Sequence, residues 1–123
     1  MLNIHPCSLD TISKFITDAR RSGLVFSRST EYFGILLDDN LIGMCGLVRY
    51  RNHWKFKNDY IIPEYRRRGF YKQSLTWRFN VARNQGINII EATCTEMSLP
   101  IWLKLGATIA YQYRIYTKVR LVL

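Results

Sequence analysis

Tyr60-Ile-Ile-Pro-Glu-Tyr-Arg-Arg-Arg-Gly-Phe-Tyr-Lys-Gln73 decides how this chain is read. An extended apolar run stops at Pro63, the chain turns through Arg66, Arg67, Arg68 and Gly69, and apolar residues then resume at helical spacing. The order is strand, loop, helix. The first backbone N–H groups of a helix have no internal partner and lie at the positive end of its dipole, so a loop delivered there can hold a phosphate. Gly69 permits positive φ and a close approach of backbone to ligand.

Downstream of the loop, the spacing predicts a helix from about Phe70 to Asn84. Tyr71, Leu75, Phe79 and Ala82 form one stripe, with Phe70, Trp77 and Val81 beside it, so a wide arc is apolar and packs on a sheet. Gly86 ends this helix, and residues 87–95 have the near-continuous apolar character of a strand inside a sheet. Strand, crossover helix and second strand make a βαβ unit, whose ligands bind beyond the carboxyl ends of the strands. Ser98 can cap a last short helix with Pro100 in its first turn, and Gly106 closes it. Residues 108–113 and 115–123 then alternate as two antiparallel strands.

Upstream, residues 53–62 follow the two-residue period of a strand. That period puts Trp54, Phe56, Tyr60 and Ile62 on one face and Lys55, Lys57, Asp59 and Ile61 on the other. Residues 32–37 and 41–50 are β-formers separated by Asp38-Asp39-Asn40, turn chemistry that tolerates unusual φ, and so make a hairpin. A short first strand over residues 2–4 ends at His5-Pro6. Ser8 or Asp10 caps the helix after it, in which Ile12, Phe15, Ile16 and Ala19 recur at i, i+3, i+4 and i+7. Arg20 and Arg21 complement its C-terminal dipole, and Gly23 is suited to close it.

Length and composition bound the rest. The chain has 123 residues, 48% of them hydrophobic, which suits one globular domain over residues 1–123 with a two-layer core. No apolar run nears the roughly 20 residues of a membrane span, and the N-terminus lacks the basic and apolar regions of a signal peptide, so a cytoplasmic protein without a membrane partner is expected. Cys7, Cys45 and Cys94 are odd in number and far apart, without the two-residue spacing of zinc or redox sites, and read as buried reduced thiols. The formal charge of +9 suits a polyanion. Coenzyme A with its three phosphates is one and nucleic acid is another, and charge does not choose between them.

The loop resembles the signature of the GCN5-related N-acetyltransferases: arginine or glutamine, two residues, glycine, one residue, then glycine or alanine. Here that is Arg66-Arg67-Arg68-Gly69-Phe70-Tyr71, led in by Ile61 and Pro63. Tyr71 departs from the pattern, standing where a small residue is usual. The resemblance covers about residues 2–122 in outline and 60–107 in motif detail. It implies an α/β single-domain fold with a mixed sheet and flanking helices, in which two adjacent parallel strands splay apart and the pantetheine arm of acetyl-CoA lies between them.

The same resemblance implies the site. The backbone near Tyr60, Ile61 and Ile62 would bind pantetheine and the acetyl carbonyl. The amides from Arg67 to Tyr71, including those of Gly69 and Phe70, would hold the pyrophosphate, with the Arg66 and Arg68 side chains as candidates. Backbone donors of this kind are what an acyl transfer needs at its developing oxyanion. Many members carry an asparagine and a tyrosine eleven and four residues before a glycine, the tyrosine protonating the departing thiolate. Counting back from Gly106, Thr95 and Trp102 stand there. Indole has no acidic proton to give near neutral pH, so that acid is missing, and Trp102 reads as core.

Asp59, Glu96, His53 and Glu91 are the candidates for a general base. Asp59 comes first by its place on the motif strand, although Lys57 on the same face offers it an ion pair instead. Cys94 has no histidine near it in sequence and reads as a buried thiol. Three function classes stand at this stage. One is an acetyl-CoA-dependent N-acetyltransferase acting on a small-molecule or macromolecular amine by direct attack. Another is a basic protein of the same fold that binds nucleic acid or acetylates an amine on it, and the third is an inactive CoA-binding module. The acceptor and the oligomeric state, a dimer included, are not written in the sequence.

Overall fold

A computed structural model describes residues 1–21, 26, 27 and 29–123, without the Lys14 side chain; Gly23, the expected helix terminator, lies outside the described residues. The chain begins with β1 (Leu2–Pro6) and α1 (Leu9–Arg21), continues through β2 (Glu31–Leu37), β3 (Asn40–Arg49) and β4 (His53–Ile61), and turns through one 3₁₀ turn (Pro63–Tyr65) into α2 (Phe70–Asn84). It closes with β5 (Ile89–Cys94), α3 (Leu99–Lys104), β6 (Thr108–Gln112) and β7 (Thr117–Val122). Among the described residues, seven strands join one sheet in the order β1-β2-β3-β4-β5-β7-β6. The β4–β5 pair is parallel and the others are antiparallel. This is the mixed α/β architecture expected from the sequence.

Local chemistry accounts for the elements. Ser8 is the residue that caps α1, its Oγ accepting the Thr11 N–H at 3.3 Å. Ile12, Phe15 and Ala19 are buried. The hairpin between β2 and β3 turns at Asp38 (φ 47°) and Asp39 (φ 70°), the two left-handed residues that match the twist of paired strands. At the last short helix Ser98 occupies the cap position without a capping hydrogen bond from its side chain. Its hydroxyl donates instead to the Thr95 carbonyl at 3.4 Å.

The sheet is covered unevenly. On one face α2 and α3 bury Leu47, Trp54, Phe56, Ile90, Val119 and Leu121. On the other, α1 packs on Tyr32, Met44 and Tyr60. Strand β3 runs between the two and is buried from Ile42 to Leu47 on both faces. Trp77, expected beside the apolar stripe of α2, is 46% exposed. Arg78 takes a place on the buried arc instead.

One irregularity in β4 changes the face of its second half. Gly46 pairs with Lys57 and Met44 with Tyr60, so Cys45 alone opposes Asn58 and Asp59. This is a β-bulge, with Asn58 at φ 58°. Trp54 and Phe56 face α2, but beyond the bulge Tyr60 packs against Phe15 of α1 and Ile61 joins the cluster with Tyr71. Strict alternation over residues 53–62, with Asp59 beside Lys57, is therefore corrected.

Candidate active site

The parallel pairing of β4 and β5 runs only from His53↔Ile89 to Phe56↔Ala92. Beyond Phe56 strand β4 continues to Ile61 bonded to β3 alone, and beyond Ala92 strand β5 continues bonded to β7 alone. The two strands thus diverge and leave facing edges without a ladder. Backbone polar groups on such edges are strong hydrogen-bonding sites. Tyr60 and Ile61 lie on the β4 edge and Ile62 just after it, its N–H donating to the Ile42 carbonyl at 2.9 Å.

The loop that follows has a built shape. Arg66 Nε donates to the Ile61 carbonyl at 2.7 Å, and its guanidinium lies 5.2 Å from the centre of the Tyr60 ring. Arg68 lies over the rings of Tyr65 and Phe70, at 5.2 and 5.3 Å. These two side chains brace the loop, while Arg67, at φ 61°, is exposed. Gly69 takes the N-cap place of α2 at φ 82°, and no side chain caps this helix. A Cβ on Gly69 would have nothing closer than Gln73 Nε2 at 4.0 Å, so the space before the helix is open. The first amides of a 15-residue helix therefore point at an uncapped opening next to the strand gap. A pyrophosphate with its pantetheine arm along the gap fits these residues.

On the α2 side the gap is floored by a buried polar cluster. Arg78 donates from Nη1 and Nη2 to both oxygens of Asp59, at 3.0 Å each, and Tyr71 donates its hydroxyl to Asp59 Oδ2 at 2.9 Å. Trp102 Nε1 donates to the Tyr71 oxygen at 3.0 Å. Burial, and after it the Asp59 charge, holds the Tyr71 phenol well above its ordinary pKa, so it stays protonated near neutrality. Burial alone would lower Arg78, but the Asp59 carboxylate outweighs it and the guanidinium is held charged.

Asp59 is thus paired with Arg78, and not with Lys57, the alternative partner that its place on the strand offered. A carboxylate holding three donors has little left with which to take a proton from an amine. Trp102 is 1% exposed and packs edge-on to Phe79, as its reading as core expects. Tyr71 fills space below the gap with a ring where the family motif has a small residue.

The other acid–base candidates are dispersed. His53 and Glu91 lie at the paired end of β4 and β5, 3.7 Å apart, with His53 stacked on Tyr50 at 4.7 Å. Burial would raise Glu91, but the Arg120 hydrogen bond at 3.0 Å, with Lys118 and His53 nearby, holds it below the usual carboxylate range. Thr95 and Glu96 are exposed on the turn after β5, at the end of the gap. Cys94 is buried, its thiol pushed up to about 11 chiefly by desolvation. Arg78 was missed from sequence, although it stands seven residues after Tyr71 and four before Ala82. A charge on an apolar stripe signals a buried partner.

The sequence profile of the acetyltransferase (GNAT) family matches residues 6–106. The chain belongs to that family. Comparison with the curated proteins returns no match. Among solved structures, the PaiA N-acetyltransferase of Thermoplasma acidophilum in complex with coenzyme A superposes with a TM-score of 0.80 at 15% identity, over 100% of this chain and 99% of that one. The N-acetyltransferase PseH of Campylobacter jejuni in complex with acetyl coenzyme A gives 0.71 at 14% identity, over 99% of each chain. Mutant forms of the spermidine/spermine N-acetyltransferase SpeG of Vibrio cholerae give 0.77 at 12% identity, over 98% of this chain and 93% of that one. Identities this low speak for the fold alone. Among the described residues, no helix is long and apolar enough to cross a membrane.

Proposed function

We propose that this acetyltransferase moves the acetyl group of acetyl-CoA to a primary amine by direct attack, without a tyrosine acid on α3. The observation that carries the reading is the coincidence of an unladdered β4–β5 gap with an uncapped α2 N-terminus at its open end. Bound acetyl-CoA would supply a thioester carbonyl open to a neutral amine. The free edge of β4 at Tyr60 and Ile61 offers backbone N–H groups to the carbonyl oxygen as it gains negative charge, and the amides from Arg67 to Tyr71 hold the pyrophosphate. The amine nitrogen forms the amide bond as the carbon–sulfur bond breaks, and its proton passes to solvent or to the departing sulfur. A thiol has a pKa near 8.5, so the sulfur leaves as a tolerable anion at neutral pH.

Within this reading Asp59 is a positioning residue: with Arg78 it anchors the bulged part of β4 to α2, and so sets the width of the gap. Glu96, exposed after β5, is the carboxylate left to receive a proton. The test is calorimetric titration of acetyl-CoA into wild type and Gly69→Val. Wild type binds, and the variant binds at least about tenfold more weakly, because a β-branched residue is strained at this φ and its side chain crowds the amides. Equal affinity in a folded variant would show that the loop does not hold the pyrophosphate.

A further inference from the structure

The two faces of the β4–β5 gap are not equally open. The α2 face is closed by buried Arg78 and Trp102 with Asp59 and Tyr71 between them. An acceptor must therefore arrive from the other face. There α1 packs on Tyr32, Met44 and Tyr60, and among the described residues the apolar cluster beneath it takes in no residue of β4 before the bulge, of β5 or of β7.

Register places that surface in two ranks. Lys57 is the first β4 residue past the last β4–β5 pair, and across the gap Thr93 pairs with Lys118. One rank back, Lys55 pairs with Glu91 and Glu91 with Arg120. Lys55, Lys57, Lys118 and Arg120 thus share this surface with Glu91. Glu91 is already shared by Arg120 Nη2 at 3.0 Å, Lys118 Nζ at 3.7 Å and His53 Nε2 at 3.7 Å. Among the described residues neither Lys55 nor Lys57 has an ion-pair partner. The bulge completes the pattern, because it takes Asp59, the acid nearest in sequence, to the opposite face.

From this juxtaposition we infer that the acceptor is a small primary amine that also carries an anionic group, a carboxylate or a phosphate, held by Lys57 and Lys55 with its amine turned into the gap. The inference rests on the transferase reading and names the substrate class for that site. A polycationic amine meets like charge at this surface, and a neutral one gains nothing from it. The same lysines answer the want of a base. Neighbouring positive charge disfavours the ammonium form, so an amine seated beside them loses its proton to water more readily.

The experiment compares amines that differ only in charge. Acetyl-CoA binding is first confirmed by calorimetry for wild type, Lys57→Ala and Lys57→Glu, which also verifies that each variant is folded. Thioester loss is then followed with ethanolamine, O-phosphoethanolamine, β-alanine and spermidine. Wild type is expected to show kcat/KM at least about tenfold higher for the two anionic amines than for ethanolamine, the range of one charge-assisted hydrogen bond, with spermidine lowest. Lys57→Ala should raise KM for the anionic amines by about tenfold, and Lys57→Glu should reverse the ranking, with acetyl-CoA affinity unchanged in both. A wild-type preference for ethanolamine or spermidine, or a ranking untouched by Lys57→Glu, overturns the inference. So does acetyl-CoA binding with no turnover of any amine and no O-phosphoethanolamine signal in ligand-observed NMR of the acetyl-CoA complex. Failure of acetyl-CoA to bind would instead remove the transferase reading. The NMR measurement on the free protein, with and without Lys57→Glu, then decides whether the surface holds the anionic amine at all.

Discussion

Replacing Arg78 with Met tests the buried pair most directly. Met approximates the aliphatic stem of arginine, so packing on Phe56, whose ring lies 4.7 Å from the guanidinium, is largely kept while the charge and both bonds to Asp59 go. Asp59, whose side chain is 14% exposed, then keeps, among the described residues, the Tyr71 hydroxyl alone. Removing one partner of a buried ion pair costs about 3–5 kcal/mol, a large share of the roughly 5–15 kcal/mol by which a domain is stable. With a urea slope of about 2 kcal/mol per M, the midpoint should fall by about 2 M. The double variant Asp59→Asn/Arg78→Met leaves no unpaired charge, so it should recover part of the loss, with a coupling energy of about 2 kcal/mol or more in the cycle. Arg78→Lys keeps a charge but not the two-pronged contact and should fall between. A cost below about 1 kcal/mol for Arg78→Met, or additive losses in the double variant, would refute the pair as a structural anchor and return Asp59 to the list of available bases.

Three further outcomes follow from the same geometry. A Cβ on Gly43 would lie 2.3 Å from the Tyr60 carbonyl oxygen, so Gly43→Ala must separate β3 from β4 at the gap; a loss of about 2 kcal/mol or more in urea unfolding is expected, and a neutral substitution would mean that the strands are further apart. Burial pushes the Cys45 thiol up to about 12 and Cys94 to about 11, so at pH 8 a disulfide reagent should label Cys7 first in the folded protein and all three thiols after unfolding, as read by peptide mass; fast native labelling of Cys45 would contradict its burial. Glu91 has a lowered folded-state pKa, so its ion pairs stabilise the fold above the unfolded value near 4.3, and that gain is lost as pH falls through the folded value. Glu91→Gln should therefore be less stable than wild type at pH 7 and converge with it at about pH 3, and an equal stability at pH 7 would show that the pairs contribute nothing.

How much of this was legible in the sequence depends on whether a feature is local. Helix α2 was readable to its ends because Gly69, the apolar stripe and Gly86 are neighbours in the chain, and the β2–β3 turn because Asp38 and Asp39 carry their own conformational preference. The Arg-rich loop was readable as a motif, but not that Arg66 and Arg68 would lie against Tyr60, Tyr65 and Phe70, since that depends on where the preceding strand places its rings. The bulge was out of reach for a deeper reason. A period of two carries no mark of an inserted residue, and only the partner strand shows that Cys45 opposes both Asn58 and Asp59. Asn58, a residue type that tolerates φ of 58°, was the one hint.

That inserted residue decides the chemistry of both faces. With strict alternation Asp59 would stand beside Lys57, neutralise it, and offer a carboxylate to an arriving amine, while Arg78 would be a buried cation without an acid. With the bulge, Asp59 satisfies Arg78 on the closed face and Lys57 is left charged on the open one. The general base first sought on β4 and the anion-binding surface now assigned to it are therefore mutually exclusive consequences of one backbone irregularity. Asn58→Ala, which penalises the left-handed conformation, would shift the balance toward the unbulged strand, with loss of the Arg78 pair and of any preference for anionic amines together.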